Sequence, residues 1–306
     1  MQSVRNWNAL RHGIVACLLL LVGGLIAACQ PVQPMSDAPA AMESPQTIPE
    51  VAVSVDENGF TLPENFPGGI VTVTVQNNAA IDLDVSFGRV KEGASVEEIK
   101  ALYANLEENL VPLLQMLDAM PSFNPIYAGQ SARITMDFRT GRFLVVANEH
   151  VEEAPPPGIQ YIWGEFTADE LVGTTEPQAD VTVDMADFTY TMPDEIKAGE
   201  QVWEYVNTGD QWHMTALVKL APGATMDDVM NAIMSEGEPA APPPFEDVPN
   251  AGIAPITPGE RAWITVSLEP GTYAAICPLP DMVAMMNGGE PIPHMLQGMV
   301  RQFTVK

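Results

Sequence analysis

Cys277, His294 and Met299 fall within one stretch, Gly271–Val300, and offer a thiol, an imidazole and a thioether. Tyr273, Ala275 and Cys277 alternate along a strand-like run, and period-two geometry places all three on one inward face. Met299 stands just before a second strand-like run, Val300–Val305. Upstream, His213 in VNTGDQWHM supplies a second imidazole. A thiolate, imidazoles and a thioether brought to one end of a β-sandwich suit a soft metal, copper above all.

These residues need a scaffold, and from residue 51 the chain repeats itself with a constant offset of 130 positions. Val51, Val53, Thr61, Pro63 and Gly69 recur as Val181, Val183, Thr191, Pro193 and Gly199. Asn77 recurs as Asn207, and Gly129, Ala132, Ile134-Thr135 and Gly141 as Gly259, Ala262, Ile264-Thr265 and Gly271. The matches need no gap and fall on turn glycines, prolines and strand residues, as in a duplicated domain. Short alternating runs such as Val51–Val55, Ile70–Val75 and Arg261–Leu268 are separated by Gly, Pro, Asn and Asp. The expected fold is all-β: two tandem Greek-key β-sandwiches, residues 51–171 and 178–306, each with one inserted helix.

Ser95-x-x-Glu98 opens the first helix with a capping box, and this helix is expected to reach about Met120 despite Pro112. Thr225-x-x-Asp228 is a weaker box, and the second helix should stop near Gly237, before a Pro-rich loop at 238–252. Met226, Met230 and Met234 lie at i, i+4 and i+8 there, a packing stripe.

The N-terminus is a targeting signal. Arg5 and Arg11 precede an apolar run, Gly13–Ile26, and Ala27-Ala28 leads into Cys29. Ile-Ala-Ala-Cys resembles the lipobox of bacterial lipoproteins, which implies a signal peptide over residues 1–29, lipid on Cys29 and an extracytoplasmic, membrane-anchored protein. Residues 30–50, rich in Pro, Ala, Ser and Gln, read as a disordered tether. Cys17 then leaves with the signal and Cys29 takes lipid, so Cys277 has no intramolecular partner. A lone thiol in an oxidising compartment is either buried and inert or held by a metal.

His213, Cys277, His294 and Met299 occur in the ligand order of the type 1 blue copper proteins, and residues 180–306 resemble that plastocyanin/azurin, or cupredoxin, family. Similar too are the lead-ins G-x-Y-x-x-x-C (Gly271, Tyr273, Cys277) and N-x-G-x-x-x-H (Asn207, Gly209, His213). Two features depart from the family pattern. Sixteen residues separate Cys277 from His294, where a few are usual, and Met214 follows His213 where an Asn is common. The resemblance implies one copper held by His213, Cys277 and His294, with Met299 as a weak axial ligand, and one-electron transfer. Carried back by the same offset, the ligand positions become Leu83 and Ala147. Aligning Phe166 with Phe303 adds Pro157 and Ile162, so the first copy has no ligands.

Composition limits the alternatives. A formal net charge of −27 excludes nucleic acid as a partner; it reads first as a solubility or habitat feature, and second as the mark of a basic protein partner, redox or copper-exchanging. Multicopper oxidases and copper nitrite reductases build tandem cupredoxin domains too, but need more imidazoles than His150, His213 and His294. His150, in an acidic loop, reads as solvated. No Ser-His-Asp set, P-loop or dinucleotide fingerprint is present. The chain therefore reads as a non-enzyme. Met282, Met285, Met286 and Met295 crowd the Cys–His loop. They leave open a Cu(I) carrier or sensor, a partner surface, or simple packing, and a metal-free binding module of the same fold is a third reading.

Overall fold

A computed structural model describes residues 47–151, 159–234, 243–248 and 251–306. Cys29, most of the tether and Pro157 lie outside them.

The first half holds β1 (Glu50–Asp56), β2 (Gly59–Thr61), β3 (Phe66–Asn77) and β4 (Leu83–Val90), then helices α1 (Val96–Leu102) and α2 (Leu106–Met116). It closes with β5 (Leu117–Ala119), β6 (Phe123–Ile126), β7 (Ser131–Asp137), β8 (Gly141–Glu149) and β9 (Tyr161–Gly173). The second half holds β10 (Val181–Ala186), β11 (Thr189–Thr191), β12 (Glu195–Ile196), β13 (Gly199–Asn207), β14 (His213–Leu220) and α3 (Met226–Ile233). There follow β15 (Phe245–Asp247), β16 (Ile253–Ile256), β17 (Arg261–Leu268), β18 (Gly271–Ile276), the short α4 (Met282–Met286) and β19 (Val300–Val305).

Element starts recur at the spacing seen in the sequence. β4 and β14 open at Leu83 and His213, β7 and β17 at Ser131 and Arg261, β8 and β18 at Gly141 and Gly271. Each half begins with a parallel pair, β1 with β3 and β10 with β13, and sets β4 against β8 or β14 against β18 in antiparallel register. The halves share a sheet. β7 pairs with β17 through Ala262–Met136 and Trp263–Thr135, joining β3 and β13 into one continuous layer.

Strand alternation sorts β18 cleanly. Tyr273, Ala275 and Cys277 enter the sandwich core, whereas Ala274 and Ile276 face the apolar cluster under α3. Met226 and Met230 pack on that same cluster, while Met234 is exposed. Apolar burial of this kind, at ~25 cal/mol per Å², is what holds a helix on a sheet.

Three local expectations differ from the structure. The first helix is not continuous to Met120. It breaks at a 3-10 turn, Tyr103–Asn105, the Asn105 side chain caps α2, and the chain is already extended by Leu117. The reciprocal capping box belongs to Thr225 and Asp228; Ser95 makes only its half, its hydroxyl accepting Glu98 N–H at 3.3 Å and donating to Glu97 at 3.2 Å. α3 ends at Ile233, with Met234 as its cap, and part of the expected Pro-rich loop forms β15 on the edge of β14.

Candidate metal centre

His213 is the first residue of β14, Cys277 follows the last residue of β18, and His294 opens a 3-10 turn leading into β19. All three are fully buried, and one ligand atom from each lies within 4.8 Å of the other two. His213 Nδ1 is 3.1 Å from His294 Nδ1, which is 3.4 Å from Cys277 Sγ.

The sixteen-residue loop returns His294 by backbone pairing. His294 N–H donates to Leu279 O at 2.8 Å and Met295 N–H to Cys277 O at 2.9 Å, while Pro280 bridges Pro293. Met299 is tied to both neighbours, its N–H to His294 O at 3.0 Å and its carbonyl to Cys277 N–H at 3.2 Å. Its side chain is fully buried in the core cluster that includes Cys277. Gly298 makes the intervening turn at φ 112°, a conformation costly for any side chain.

The outer nitrogen of each imidazole meets an acceptor. His213 Nε2 lies 2.8 Å from Asp187 Oδ1, which also accepts Asp210 N–H at 3.0 Å. His294 Nε2 lies 3.2 Å from Gln211 Oε1, an oxygen identified by the Met282 N–H that donates to it at 2.9 Å. Each Nε2 therefore carries the proton, which fixes both tautomers and leaves both Nδ1 lone pairs facing inward. Asp187 and Phe188 form one turn tip that serves both rings. Phe188 sits at φ 60°, unusual for a bulky residue, with its ring edge-on to His294 at 5.3 Å.

The lead-in motif has a steric reason. A Cβ on Gly209 would fall 2.4 Å from Asp187 Oδ1 and 2.6 Å from His213 Nε2, so only glycine leaves room for their bond. Asn207 locks the same turn, its amide donating to Gln211 O and Ile256 O, both at 2.8 Å. The first half keeps that lock, with Asn77 donating to Ile81 O and Ile126 O, yet has Ala79, Ile81 and Leu83 where the second has Gly209, Gln211 and His213. Met214, the departure from the family pattern, is held by its carbonyl, which accepts the Tyr190 hydroxyl at 2.5 Å.

Burial governs the protonation states. It holds His213 below the usual imidazole range despite Asp187, and with the neighbouring His213 it takes His294 down to about 4. Both rings are therefore neutral near pH 7, as metal ligands must be. Burial also pushes the Cys277 thiol up, opposed by backbone hydrogen bonds from Met214 and Leu279 and by the nearby Tyr190 hydroxyl. A cation among the donors reverses that penalty by favouring the thiolate.

Two nitrogens each ~2.0 Å from one ion lie at most about 4 Å apart, so the inward nitrogens are close enough to share it. Two buried imidazoles and a thiol match the ligand softness of copper. The donor set supports copper binding.

The described residues form a mostly β fold of two sheets, with the His213–Cys277–His294 group gathered at strand ends. No family model and no curated protein matches the chain. Among solved structures, it is similar to reduced auracyanin from Roseiflexus castenholzii, with 22% identity over 42% of this chain and 99% of that one, at a TM-score of 0.26. Auracyanin A from Chloroflexus aurantiacus, titled a "blue" copper protein, gives 17% identity over 41% and 96%, at 0.25. Blue copper oxidase from Nitrosomonas europaea gives 12% identity over 85% and 86%, at 0.22.

Asp187, Gln211, Phe188 and Tyr190 are additions to the sequence-derived set, and only their proximity in space marks them. His150 is also placed differently from expectation. It is half-buried, with Nδ1 2.8 Å from Asp84 Oδ1, because the start of β4 lies beside the end of β8.

Proposed function

We propose that this chain is an extracytoplasmic copper protein that passes single electrons through a type 1-like site made by His213, Cys277 and His294, with Met299 as the weak axial ligand. The observation that carries this reading is the pair of inward Nδ1 atoms beside a buried thiol, with each outer Nε2 facing an acceptor. Bound copper supplies a one-electron couple. The chain supplies two imidazoles with fixed tautomers, a thiol whose charged form needs a cation, and a buried pocket whose ligands are anchored to strand ends.

Residues 51–171 act in this reading as a ligand-free duplicate of residues 178–306, joined to them through the shared sheet. Cys29 carries the lipid anchor, and a basic redox protein is the partner, in keeping with the net charge of −27. Among the described residues, the His213–Cys277–His294 group is the one cluster of three or more His, Cys, Asp or Glu side chains suited to a metal.

The Cu(I)-carrier reading draws less support. Met282 and Met295 are buried and Met285 is partly buried, which leaves Met286 as the exposed thioether of the Cys–His loop. Voltammetry of the copper-loaded chain separates the two. Reversible one-electron cycling with retained metal fits the electron carrier; release of Cu(I) on reduction fits the copper carrier.

A further inference from the structure

Gln211 is 5% exposed, in the turn between β13 and β14, and its one side-chain oxygen serves three donors. Oε1 accepts Met282 N–H at 2.9 Å, Val283 N–H at 3.5 Å and His294 Nε2–H at 3.2 Å. Met282 and Val283 open α4 directly after the paired neck, whose last bond runs from Asp281 N–H to Ile292 O at 3.0 Å. A single amide thus joins the turn that presents His213, the loop that leaves Cys277, and the ring of His294. Its own backbone is held by Asn207, independently of its side chain.

We propose that Gln211 is the positioning residue that makes closure of the Cys–His loop and orientation of His294 one event. It supplies the acceptor that keeps the His294 proton on Nε2, so Nδ1 is free toward the thiol, and it pins α4 over the same ring. Removing the acceptor leaves a buried ring N–H and the α4 backbone without their partner, a loss that favours the other tautomer and an open loop. The first half shows that the turn tolerates an apolar residue there. Ile81 occupies the equivalent position with the same asparagine bond to its carbonyl, at 2.8 Å. The copper consequence rests on the metal reading above; the tautomer and loop consequences do not.

The test uses the full chain in detergent, with Gln211→Leu and Gln211→Glu beside the wild type. In the metal-free proteins, nitrogen NMR reports the His294 tautomer, and hydrogen exchange reports the Met282 amide. Gln211→Leu should lose the single Nε2–H tautomer and exchange Met282 at least about tenfold faster, as expected when an amide loses its closing bond. Gln211→Glu, which keeps the acceptor, should retain both. By chelator competition with Cu(II), the leucine variant should bind ~10- to 100-fold more weakly, the usual cost of losing an outer partner of a ligand. A leucine variant with wild-type tautomer and wild-type Met282 protection would overturn the proposal. A wild-type chain that takes up no copper would overturn the metal reading instead, leaving the metal-free comparison to decide the role of Gln211.

Discussion

His213 and His294 face one another through their Nδ1 atoms at 3.1 Å, although neither atom has a hydrogen to give. Both ring protons are committed outward, to Asp187 and to Gln211. The Cys277 thiol can serve one of the two lone pairs, His294 Nδ1 at 3.4 Å, but not both. Buried acceptors without donors are costly, and a cation between them satisfies both nitrogens and the sulfur together.

Asp187→Asn should separate site from fold. The turn keeps its length, but the carboxylate that orients His213 and raises its basicity is gone. Copper affinity should fall ~10- to 100-fold, while thermal unfolding of the metal-free chain moves by only a few degrees. Chelator competition and a melting curve check the two halves of this statement. Unchanged affinity would remove Asp187 from the account.

Gly209→Ala should do damage out of proportion to one methyl group. The new Cβ has contacts of 2.4 and 2.6 Å to the two atoms it would have to part, Asp187 Oδ1 and His213 Nε2. Overpacking of this kind costs ~1–3 kcal/mol, measurable by urea unfolding, and copper binding should weaken with it. The matching change in the first half, Ala79→Gly, should leave copper binding untouched.

The buried contact between the halves predicts a pH dependence. Glu260, at the head of β17, is fully buried and paired with Arg89 on β4, with Arg139 3.8 Å away. Burial raises its pKa above the usual carboxylate value, and the two arginines oppose that rise. Between the unfolded and folded values the folded chain holds more protons, so the contribution of Glu260 is fully present below the unfolded value and is lost as pH rises through the folded one. Arg89→Met removes the closest opposing charge and extends the window upward. The variant should lose ~3–5 kcal/mol near pH 8, and much less near pH 5, where Glu260 takes a proton. Urea unfolding at the two pH values measures this, and an equal deficit at both would contradict it.

Much of the site was legible because its ligands sit at the ends of strands whose alternation the sequence displays. Tyr273, Ala275 and Cys277 share an inward face as period two requires, and the offset that pairs Leu83 with His213 recurs in the strand starts. The long Cys–His loop was legible only as a length. What ties its first helix to the site, Gln211 against Met282 and His294, joins positions 71 and 83 residues apart, and no local pattern records such a contact. Asp187 was hidden for the same reason: an aspartate in a turn is ordinary until a histidine is found beside it. The β7–β17 pairing was also invisible, since an edge strand reads the same whether it ends a sheet or continues one. The helix break at Tyr103–Asn105 follows from a competing cap, Asn105, inside a run that periodicity alone continues.

The most direct measurement is the visible spectrum of the full chain, purified metal-free and titrated with Cu(II), beside Cys277→Ser. A buried thiolate on copper gives intense charge-transfer colour. The wild type should therefore turn blue or green, with the change ending at one equivalent, and Cys277→Ser should stay pale at every ratio. Met299→Leu should keep the colour and shift the potential, because an axial thioether tunes such a site without holding it together. A wild type that stays colourless, or that colours no more strongly than Cys277→Ser, would contradict the copper site proposed for these residues.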